Sequence, residues 1–511
     1  MVKRFTKRMI LIYNQIMKKA RKIFGGILLM CMSNLDAQVS KMQSLMAEKS
    51  IKMISENNPI MAHKFSADPA VLVYKDTVYV YSTNDMQQLE YSQGKEENRY
   101  NKINTLNLYS SKDLVNWTDL GEIAVAGKTG SAGDAKWATN SWAPAIACKN
   151  VGGKDKFFLY FADSGNGIGV LTADSPEGPF TDPIKKPLIS RQTPNCANVN
   201  WLFDPAVFVD KDGKGYLYFG GGHDPEKYEH PKTARCVALA DDMISIVGTP
   251  ETIDAPFLFE DSGINRIGDT YYYTYCTNWT SRNDSKDKDK MPIAVIGYMT
   301  SKSPLGPFEY KGYTLENPST YFGTSGNNHH WIFEFKNKWY IAYHAQTLEK
   351  IVGLEKGGYR SLFINDFNIN ADGSLPVQRG TKDGVKQLTG FNPFEKVPAA
   401  TFHSGRYAAV TSKQTLFATK DKSYVIVKGV DFSKEASKIE LEFADAGKKG
   451  SAAFYVDGFR DEANCLVSVK AKKNKTVEEN IKFDSKFKGQ HDLYIVLSEG
   501  TELVSWQFLH L

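Results

Sequence analysis

Short apolar strands, rich in aromatic and β-branched residues, dominate this chain, and turns of polar residues and glycine separate them. Five stretches repeat one arrangement, in which an extended segment leads through a turn into a second, strongly apolar strand. Strands of this kind with turn residues between them predict β-hairpins. The five hairpins begin at or next to Ala67, Trp142, Phe203, Phe259 and His329. Four of them open on or beside a carboxylate or a histidine.

The spacing of these segments is that of a propeller blade. From Asp68 to Ala143, Asp204, Glu260 and His330 the steps are 75, 61, 56 and 70 residues. Each step has room for about four strands at ordinary strand and loop lengths. In radially repeated four-stranded sheets, the innermost strand of every blade lies against the axis. The sequence therefore predicts an all-β chain with a five-bladed β-propeller, whose carboxylates at 68, 204 and 260 meet at one mouth.

The chain of 511 residues is too long for one ordinary core. We expect the propeller to occupy residues 65–390. Alternating strands beyond it predict a small, jelly-roll-like β-sandwich over residues 395–511. Residues 38–64, polar with scattered methionines, are expected to lead into the first blade without chemistry of their own.

The first 37 residues have the pattern of an export signal. They carry eight Lys and Arg against one Asp, followed by an apolar run over residues 23–32 and a small residue at Ala37. The run is shorter than the roughly 20 residues that span a bilayer, so an uncleaved anchor is the less favoured alternative. Cys31 raises the question of lipidation, but Met30 before it fits a lipoprotein signal poorly. We expect export to the periplasm, the cell surface or the medium.

The charge of the chain argues against a nucleic-acid partner, and its cysteine content argues against a disulfide framework and a zinc site. Removal of residues 1–37 takes away seven net positive charges and leaves about −2 of the formal +5, which argues against a nucleic-acid partner. Five cysteines remain, an odd number without any CxxC pair, so we expect neither a disulfide framework nor a zinc site. They are Cys148, Cys196, Cys236, Cys276 and Cys465.

Over residues 65–388 the chain resembles glycoside hydrolase family 43. The resemblance rests on six segments: Ala67-Asp68-Pro69-Ala70, Trp142-Ala143-Pro144, Phe203-Asp204-Pro205, Glu260 with Gly263, Asn328-His329-His330 and Tyr359-Arg360-Ser361. It implies a five-bladed propeller of inverting enzymes that remove arabinofuranosyl or xylosyl units from plant polysaccharides. It also implies Asp68 as general base, Glu260 as general acid and Asp204 as the carboxylate that tunes and orients the acid.

The chemistry of inversion agrees with this assignment, because one carboxylate must activate water while a protonated carboxyl group protonates the leaving oxygen. The apolar run over residues 256–259 and a negatively charged Asp204 are expected to raise the pKa of Glu260. An Asp before Pro also forms ordinary turns. Two matching Asp-Pro-Ala-Val sequences and the Glu favour chemistry over that alternative.

Other acidic residues near the repeats come after strands or turns, and we expect them to be solvated or to cap turns. They are Asp163, Asp261 and Asp269.

The resemblance also implies a calcium ion in the channel, held by a histidine and water. The fifth inner strand begins at His329 and His330, so one side chain faces the channel and the other faces the blade. By its position relative to the strand, we favour His329 as the calcium ligand. Water-rich coordination of calcium is compatible with a single protein nitrogen. A histidine hydrogen-bonded in the propeller core is the alternative.

Three more residues are candidates for contact with a sugar. The planar fork of Arg360 suits sugar hydroxyls or the catalytic carboxylates, and a surface salt bridge is the alternative. Trp142 offers an aromatic face for a pentose ring, although a Trp in an inner strand is as often core. Asn84 comes after the first strand pair and is expected to line the same mouth.

The C-terminal region resembles a family 6 carbohydrate-binding module, on Gly429-Val430-Asp431-Phe432 and on Gly489-Gln490-His491-Asp492-Leu493-Tyr494. It departs from that family at Pro398-Ala399-Ala400, where such modules have an acidic segment. It also has no clear pair of sandwiching aromatic residues.

The function that we predict is that of a secreted α-L-arabinofuranosidase acting on arabinoxylan or a related plant polysaccharide. The nearest alternative is a β-xylosidase on the same scaffold. A non-catalytic, carbohydrate-binding propeller is the alternative from another class. The preference for arabinose rests on the appended module and on the likeness of residues 137–180 to arabinoxylan-debranching members of the family.

Overall fold

The structure is a computed structural model, and it describes residues 39–282, 291–324 and 326–510. The predicted export signal and Cys31 lie outside the described residues. Residues Lys41–Leu511 form one compact unit. Within the described ranges, no helix combines the length and the apolar character needed to cross a membrane.

Five small antiparallel sheets stand around a channel, and each begins with one of the predicted inner strands. The inner strands contact one another in order, and the ring closes where the first and the fifth lie side by side. The prediction of an all-β, five-bladed propeller is confirmed.

Each blade contains three or four consecutive strands of the chain. Blade 1 contains β1 (Ala67–Tyr74), β2 (Thr77–Thr83), β3 (Thr105–Ser111) and β4 (Trp117–Ala124). Blade 2 contains β5 (Trp142–Val151), β6 (Lys154–Ala162) and β7 (Ile168–Ala173). Blade 3 contains β8 (Ala206–Val209), β9 (Gly215–Phe219), β10 (Ala234–Leu239) and β11 (Ile246–Ile253). Blade 4 contains β12 (Leu258–Ile267), β13 (Thr270–Thr277), β14 (Ile296–Ser301) and β15 (Glu309–Leu315). Blade 5 contains β16 (His330–Phe335), β17 (Lys338–Ala345) and β18 (Ser361–Asp366).

Tight turns fix the register of the inner hairpins. In four blades a two-residue loop joins the inner strand to its partner, and its first residue has a positive φ. Short hairpin loops require that left-handed conformation. The loops are Lys75-Asp76, Gly152-Gly153, Gly268-Asp269 and Lys336-Asn337. All four lie at the far ends of the inner strands, so the strand starts that carry the candidate chemistry share the opposite mouth.

The N-terminal lead borders blade 5. The backbone N–H of Ile60 donates to the carbonyl of Leu362 over 2.9 Å, and the N–H of Ile364 donates to Asn58 Oδ1 over 2.9 Å. The side-chain amide of Asn58 donates back to the carbonyl of Ile364 over 2.9 Å. This segment therefore satisfies backbone groups on the outer edge of β18, which would otherwise be an unpaired edge.

Three helices pack together beside the mouth. They are α1 (Lys41–Lys49), α2 (Asp85–Ser92), which comes after β2, and α3 (Leu348–Val352), which comes after β17. Their apolar side chains form one buried cluster that also contains Phe65 and Tyr359. The cluster supports the backbone next to Asp68, at Asp85 and at Arg360.

Two sheets form the C-terminal sandwich around a shared apolar core. One contains β22 (Ala408–Val410), β23 (Leu416–Ala418), β30 (Thr501–Leu509), β25 (Lys438–Ala446) and β28 (Lys475–Asn480), with β19 (Val397–Pro398) also paired to β30. The other contains β21 (Ser404–Arg406), β24 (Ser423–Asp431), β29 (Gln490–Leu497), β26 (Ser451–Val456) and β27 (Cys465–Lys470).

A strand from the C-terminal segment joins the propeller. Strand β20 (Thr401–Phe402) pairs with β4 and adds a fifth strand to blade 1. The segment after residue 395 therefore contributes to blade 1 before it enters the sandwich. The domain boundaries stay a prediction.

Candidate active site

The predicted carboxylates Asp68, Asp204 and Glu260 line one small cavity at the mouth of the channel, with a volume of about 80 Å³. All three are nearly buried, with exposed fractions of 5%, 5% and 7%. Carboxylates held so closely in a dry site raise one another's pKa, unless nearby cations compensate. The partners of each group therefore decide which of them carries a proton.

The inner strands reach the cavity through a repeated backbone distortion. A positive φ recurs at four positions: Asp68 (51°), Ala143 (29°), Asp204 (48°) and Asp261 (66°). The register of β1, β5 and β12 shifts at these positions. Such a conformation costs a residue with a β-carbon about 1–3 kcal/mol, and bulges redirect side chains out of the regular alternation. The repeat aligns Asp261 with Asp68 and Asp204, so the predicted alignment of Glu260 was wrong by one residue.

Asp68 is surrounded by nitrogen atoms. Arg360 Nη1 donates to Asp68 Oδ1 over 2.8 Å, and the N–H of Asp68 donates to His344 Nδ1 over 3.1 Å. His329 Nδ1 lies 3.5 Å from Asp68 Oδ1. Burial alone would raise the pKa of Asp68, but Arg360, His329 and His344 outweigh it and hold the pKa well below its ordinary value. Asp68 is therefore ionised at neutral pH.

Arg360 is fixed in turn by Asp85, in the first turn of α2. Arg360 Nε and Nη2 donate to the two oxygens of Asp85 over 2.9 Å each, and the Arg360 N–H adds a third bond over 3.0 Å. The pair is buried, and such bidentate contacts set the plane of the guanidinium group. Of the two targets predicted for Arg360, the structure shows the contact with a predicted catalytic carboxylate, that of Asp68.

Glu260 is held in the opposite protonation state. Burial and then the charges of Asp68 and Asp261 raise its pKa to about 8, against the opposing effects of Arg360 and the Asn327 side chain. Its Oε1 atom is buried and accepts no hydrogen bond from any described residue. Glu260 is therefore protonated at neutral pH.

Asp204 is linked to the backbone beside Glu260, because the N–H of Asp261 donates to Asp204 Oδ2 over 3.1 Å. Burial, together with the charges of Glu260, Asp68 and Asp261, raises the pKa of Asp204 well above its ordinary value. Two causes were expected to raise the pKa of Glu260, namely apolar surroundings and a negatively charged Asp204. Burial is the larger cause, as expected. The main charges acting on Glu260 are instead those of Asp68 and Asp261.

Asp261 is neither solvated nor a turn cap, so that prediction was wrong. Its side chain is fully buried. Its Oδ2 accepts hydrogen bonds from the backbone N–H and from Nδ1 of His330, and its Oδ1 lies 3.1 Å from His329 Nε2. For Asp163 the expected capping role is confirmed, because its side chain accepts the N–H groups of Thr139 and Asn140 in a turn.

The two histidines face opposite ways, as the strand geometry predicts. His329 lines the cavity, with Nδ1 3.7 Å from Asp204 Oδ2. His330 points into blade 4, where its Nε2 hydrogen-bonds with Thr274 Oγ1 over 2.8 Å. His330 has both ring nitrogens engaged, so His329 is the histidine with a nitrogen available at the channel.

The donor atoms beside His329 fit a calcium ion only with water as the main ligand. His329 Nε2 and the Asp261 Oδ1 atom, which is buried and accepts no hydrogen bond among the described residues, are one nitrogen and one oxygen. In the described part of the chain, no group of three or more His, Cys, Asp and Glu side chains is arranged to hold a metal. Calcium takes six to eight ligands, mostly oxygen.

Four aromatic side chains and Asn327 complete the cavity wall. Trp142, a predicted contact, lines it, and its Nε1 donates to the carbonyl of Tyr100 over 2.8 Å. Trp201, 42% exposed, stands at the rim and packs on Phe203 with the ring centroids 5.1 Å apart. Sequence reasoning missed Tyr100, Trp201 and Asn327. The proximity of Trp201 to Asp204 in the sequence was a signal for that residue.

Asn84 does not line the mouth, and that prediction was wrong. It is fully buried and caps α2, where its Oδ1 accepts the N–H of Gln87 over 3.3 Å. Its Nδ2 donates to Thr105 Oγ1 over 2.9 Å. An Asn at the start of a helix satisfies an otherwise unpaired N–H group. The residue that reaches the site from this turn is the next one, Asp85.

A larger groove lies away from the mouth. Its volume is about 710 Å³, and it runs beside the outer strands of blade 4. Its acidic side chains, Glu309 and Asp372, are exposed. Buried carboxyl groups with opposed pKa shifts are the better sign of chemistry, so the small cavity is the candidate site.

The cavity thus combines an ionised carboxylate and a protonated carboxyl group. Such a pair can take a proton from water and give one to a leaving oxygen, which are the two halves of a hydrolysis by general acid and base.

Comparisons with known proteins agree with this chemistry. The family model for glycosyl hydrolases family 43 matches residues 56–375. A curated arabinoxylan arabinofuranohydrolase from Paenibacillus polymyxa is 46% identical over 406 residues, and one from Bacillus subtilis (strain 168) is 49% identical over 385 residues. These alignments cover 78% and 74% of this chain, and 63% and 73% of the relatives. The chain thus spans less than two thirds of the length of the Paenibacillus relative.

A solved structure extends the likeness through the C-terminal sheets. The crystal structure of a glycoside hydrolase family 43 arabinoxylan arabinofuranohydrolase from Bacillus subtilis, in complex with cellotetraose, is 40% identical. It superimposes with a TM-score of 0.85 and covers 91% of this chain and 100% of its own. The likeness therefore includes both the propeller and most of the C-terminal segment.

Proposed function

Because this chain belongs to glycosyl hydrolase family 43, we propose that it releases α-L-arabinofuranosyl units from arabinoxylan or a related plant polysaccharide, with inversion. The observation that carries the proposal is the opposed protonation of Asp68 and Glu260 in one cavity. The two relatives at 46% and 49% identity are arabinoxylan arabinofuranohydrolases, which supports the choice of substrate.

In the proposed reaction, Asp68 is the general base and Glu260 the general acid. A water molecule gives its proton to Asp68 while its oxygen attacks the anomeric carbon. The glycosidic bond breaks, and the leaving oxygen takes the proton of Glu260. Arg360 keeps Asp68 ionised and in place, and Asp204 fixes the backbone beside the acid through its bond to the Asp261 N–H. Trp142 contacts the sugar ring.

We also propose a structural calcium ion beside His329, with Asp261 as a second ligand and water in the other positions. Bound there, the ion would supply positive charge among the buried carboxylates, while Asp68 and Glu260 carry out the proton transfers. Addition of calcium to chelator-treated protein should raise its thermal midpoint, and metal analysis should find one calcium per chain. An unchanged midpoint would refute the proposal.

We further propose that the mature protein is exported, on the pattern of residues 1–37. Cell fractionation, with the N-terminal residue of the exported form determined by mass spectrometry, tests the cleavage site before Gln38. Recovery of the full-length chain in the cytoplasm would contradict it.

The function is tested by parallel hydrolysis of the 4-nitrophenyl α-L-arabinofuranoside and β-D-xyloside by the wild type and by Asp68→Ala. Sugars released from arabinoxylan are identified, and the anomer first formed is observed by proton NMR. Arabinose release that depends on Asp68 and gives the inverted anomer supports the proposal. Xylose release would assign a β-xylosidase instead, and no activity on any substrate would favour a binding propeller.

A further inference from the structure

Tyr100 forms one wall of the cavity between two predicted site residues. The guanidinium carbon of Arg360 lies 4.7 Å from the centroid of its ring. The Trp142 ring meets it edge to face, at 6.2 Å between centroids. A cation over one ring and an indole edge against it are both attractive arrangements. The ring is therefore held in a defined orientation beside the carboxyl groups.

The backbone of Tyr100 is clamped as well. Its carbonyl accepts Trp142 Nε1 over 2.8 Å and Asn140 Nδ2 over 3.2 Å, and its N–H donates to Asn98 Oδ1 over 3.0 Å. Its φ is 60°, a left-handed conformation that persists in a residue with a β-carbon only where surrounding contacts enforce it. Three side chains thus hold the loop so that this phenol borders the cavity.

The hydroxyl of Tyr100 differs in its hydrogen bonding from the neighbouring nitrogens of Trp142 and Arg360. No described residue hydrogen-bonds to its hydroxyl, whereas Trp142 Nε1 and all three side-chain nitrogens of Arg360 have protein partners. Burial, opposed by Arg360 and assisted by Asp85, Asp68 and Glu260, raises the pKa of Tyr100 to about 12. The phenol keeps its proton and can both donate and accept.

We propose that the Tyr100 hydroxyl binds a hydroxyl group of the sugar in the cavity and thereby places the anomeric carbon between Asp68 and Glu260. The inference rests on the proposed function. Its physical basis is that Tyr100 lines the same cavity as Asp68 and Glu260, and a phenol hydroxyl can both donate to and accept from a sugar hydroxyl bound there. Tyr100 would then take the sugar contact that was predicted for Arg360.

The test is a cycle that combines Tyr100→Phe with deoxygenated substrates. Tyr100→Phe removes the hydroxyl and keeps the ring against Arg360 and Trp142. The kcat/KM of wild type and variant is measured on 4-nitrophenyl α-L-arabinofuranoside and on its 2-, 3- and 5-deoxy analogues. Tyr91→Phe is the matched control, because Tyr91 is 61% exposed on α2 and lies outside the cavity.

We expect Tyr100→Phe to lower kcat/KM on the parent substrate by about tenfold, the value of one hydrogen bond. On one deoxy analogue, the variant should be within about twofold of wild type, because contacting groups give non-additive losses. Tyr91→Phe should match wild type throughout. A merely structural role for Tyr100 would give the same loss on every analogue.

Two results would overturn the inference. The first is that the losses in kcat/KM from Tyr100→Phe and from deoxygenation multiply at all three positions. The second is a kcat/KM of Tyr100→Phe within about twofold of wild type on the parent substrate. If the wild type hydrolyses only the β-D-xyloside, the proposed function fails. The same cycle on deoxy-xylosides then still decides the role of Tyr100.

Discussion

Two clusters of buried charged side chains differ in the balance of charge. The first, the mouth cluster, consists of Asp68, Asp85, Asp204, Glu260, Asp261 and Arg360. The second, the junction cluster, consists of His63, Lys64 and Asp119, where blade 1 meets the C-terminal segment. Asp119 is fully buried, and its side chain lies 2.8 Å from His63 Nε2 and 3.0 Å from Lys64 Nζ.

In the junction cluster, one carboxylate meets two basic groups. Burial would raise the pKa of Asp119, but Lys64 and His63 outweigh it and hold the pKa well below its ordinary value. In the mouth cluster, carboxyl groups outnumber the cation, and the excess raises the pKa of Glu260 and Asp204. Burial of charge alone therefore does not mark a functional site. An unbalanced set of carboxyl groups around a cavity does.

The largest expected contrast comes from one change made in both clusters. Asp68→Asn should lower kcat by about 10³ to 10⁴-fold, because the base is lost. Asp119→Asn should lower the free energy of unfolding by about 3–5 kcal/mol, because Lys64 stays buried without its counter-charge. Urea unfolding and kcat per folded molecule are measured for both variants. A folded Asp119→Asn protein with kcat reduced as far as in Asp68→Asn would erase the distinction.

The protonated member of the mouth cluster should show itself through the leaving group. Glu260→Ala should lose about 10² to 10⁴-fold on arabinoxylan, whose leaving oxygen needs a proton. It should lose less than about tenfold on the 2,4-dinitrophenyl arabinofuranoside, whose leaving group departs unaided. Equal losses on both substrates would remove Glu260 from the role of acid.

The pH dependence of kcat/KM should reflect the raised pKa of Glu260, about 8. The acid acts only when protonated, so the rate should fall above roughly pH 8 by tenfold per unit. Asp68, with its lowered pKa, stays ionised across the neutral range and sets no limit there. Glu260→Ala, assayed with the activated substrate, should lose the alkaline limb. Persistence of that limb would assign it to another group.

The smallest effect is expected near the junction cluster, at Lys52. Its side chain is buried, and Nζ donates to the carbonyl of Pro59 over 3.1 Å. Burial and then the charge of Lys428 lower the pKa of Lys52 to about 7. Between about pH 7 and 10.5 the unfolded chain holds this proton more tightly, so stability rises with pH across that window.

Lys52→Met should therefore raise the free energy of unfolding by about 1–3 kcal/mol at pH 6, because it removes a buried charge without a carboxylate partner. The gain should shrink as the pH approaches 10, which urea unfolding at several pH values measures. Lys420→Met on the exposed surface is the control. A gain that grows with pH would contradict the lowered pKa.

The ring of blades was predictable because each inner hairpin repeats the same local pattern. The predicted carboxylates, His329, Arg360 and Trp142 all reach one cavity, while their roles stay predictions. The prediction that Asn84 lines the mouth was wrong because residues that start a helix and residues that border a pocket look alike in the sequence. Only the three-dimensional turn decides which of Asn84 and Asp85 faces inward.

The missed residues depend on contacts between distant parts of the chain. Asp85 and Arg360 are 275 positions apart, and nothing local to either one indicates the pair. Tyr100 lies in a polar loop whose direction is set by Asn98 and Trp142. Asp261 carried a signal in the repeat, but the equivalence appears only when backbone angles, and not residue types, are aligned.

The added strand β20 has a consequence for synthesis on the ribosome. Blade 1 is made first, yet its outermost strand comes from residues 401–402, and the edge of blade 5 is bordered by residues 57–60. Blade 1 therefore cannot complete its outer edge until the segment from residue 401 onward has begun to emerge. During translation the edge of β4 stays unpaired until β20 is available. A nascent chain stalled before residue 401 should therefore be a better target for chaperones and proteases than one stalled after it.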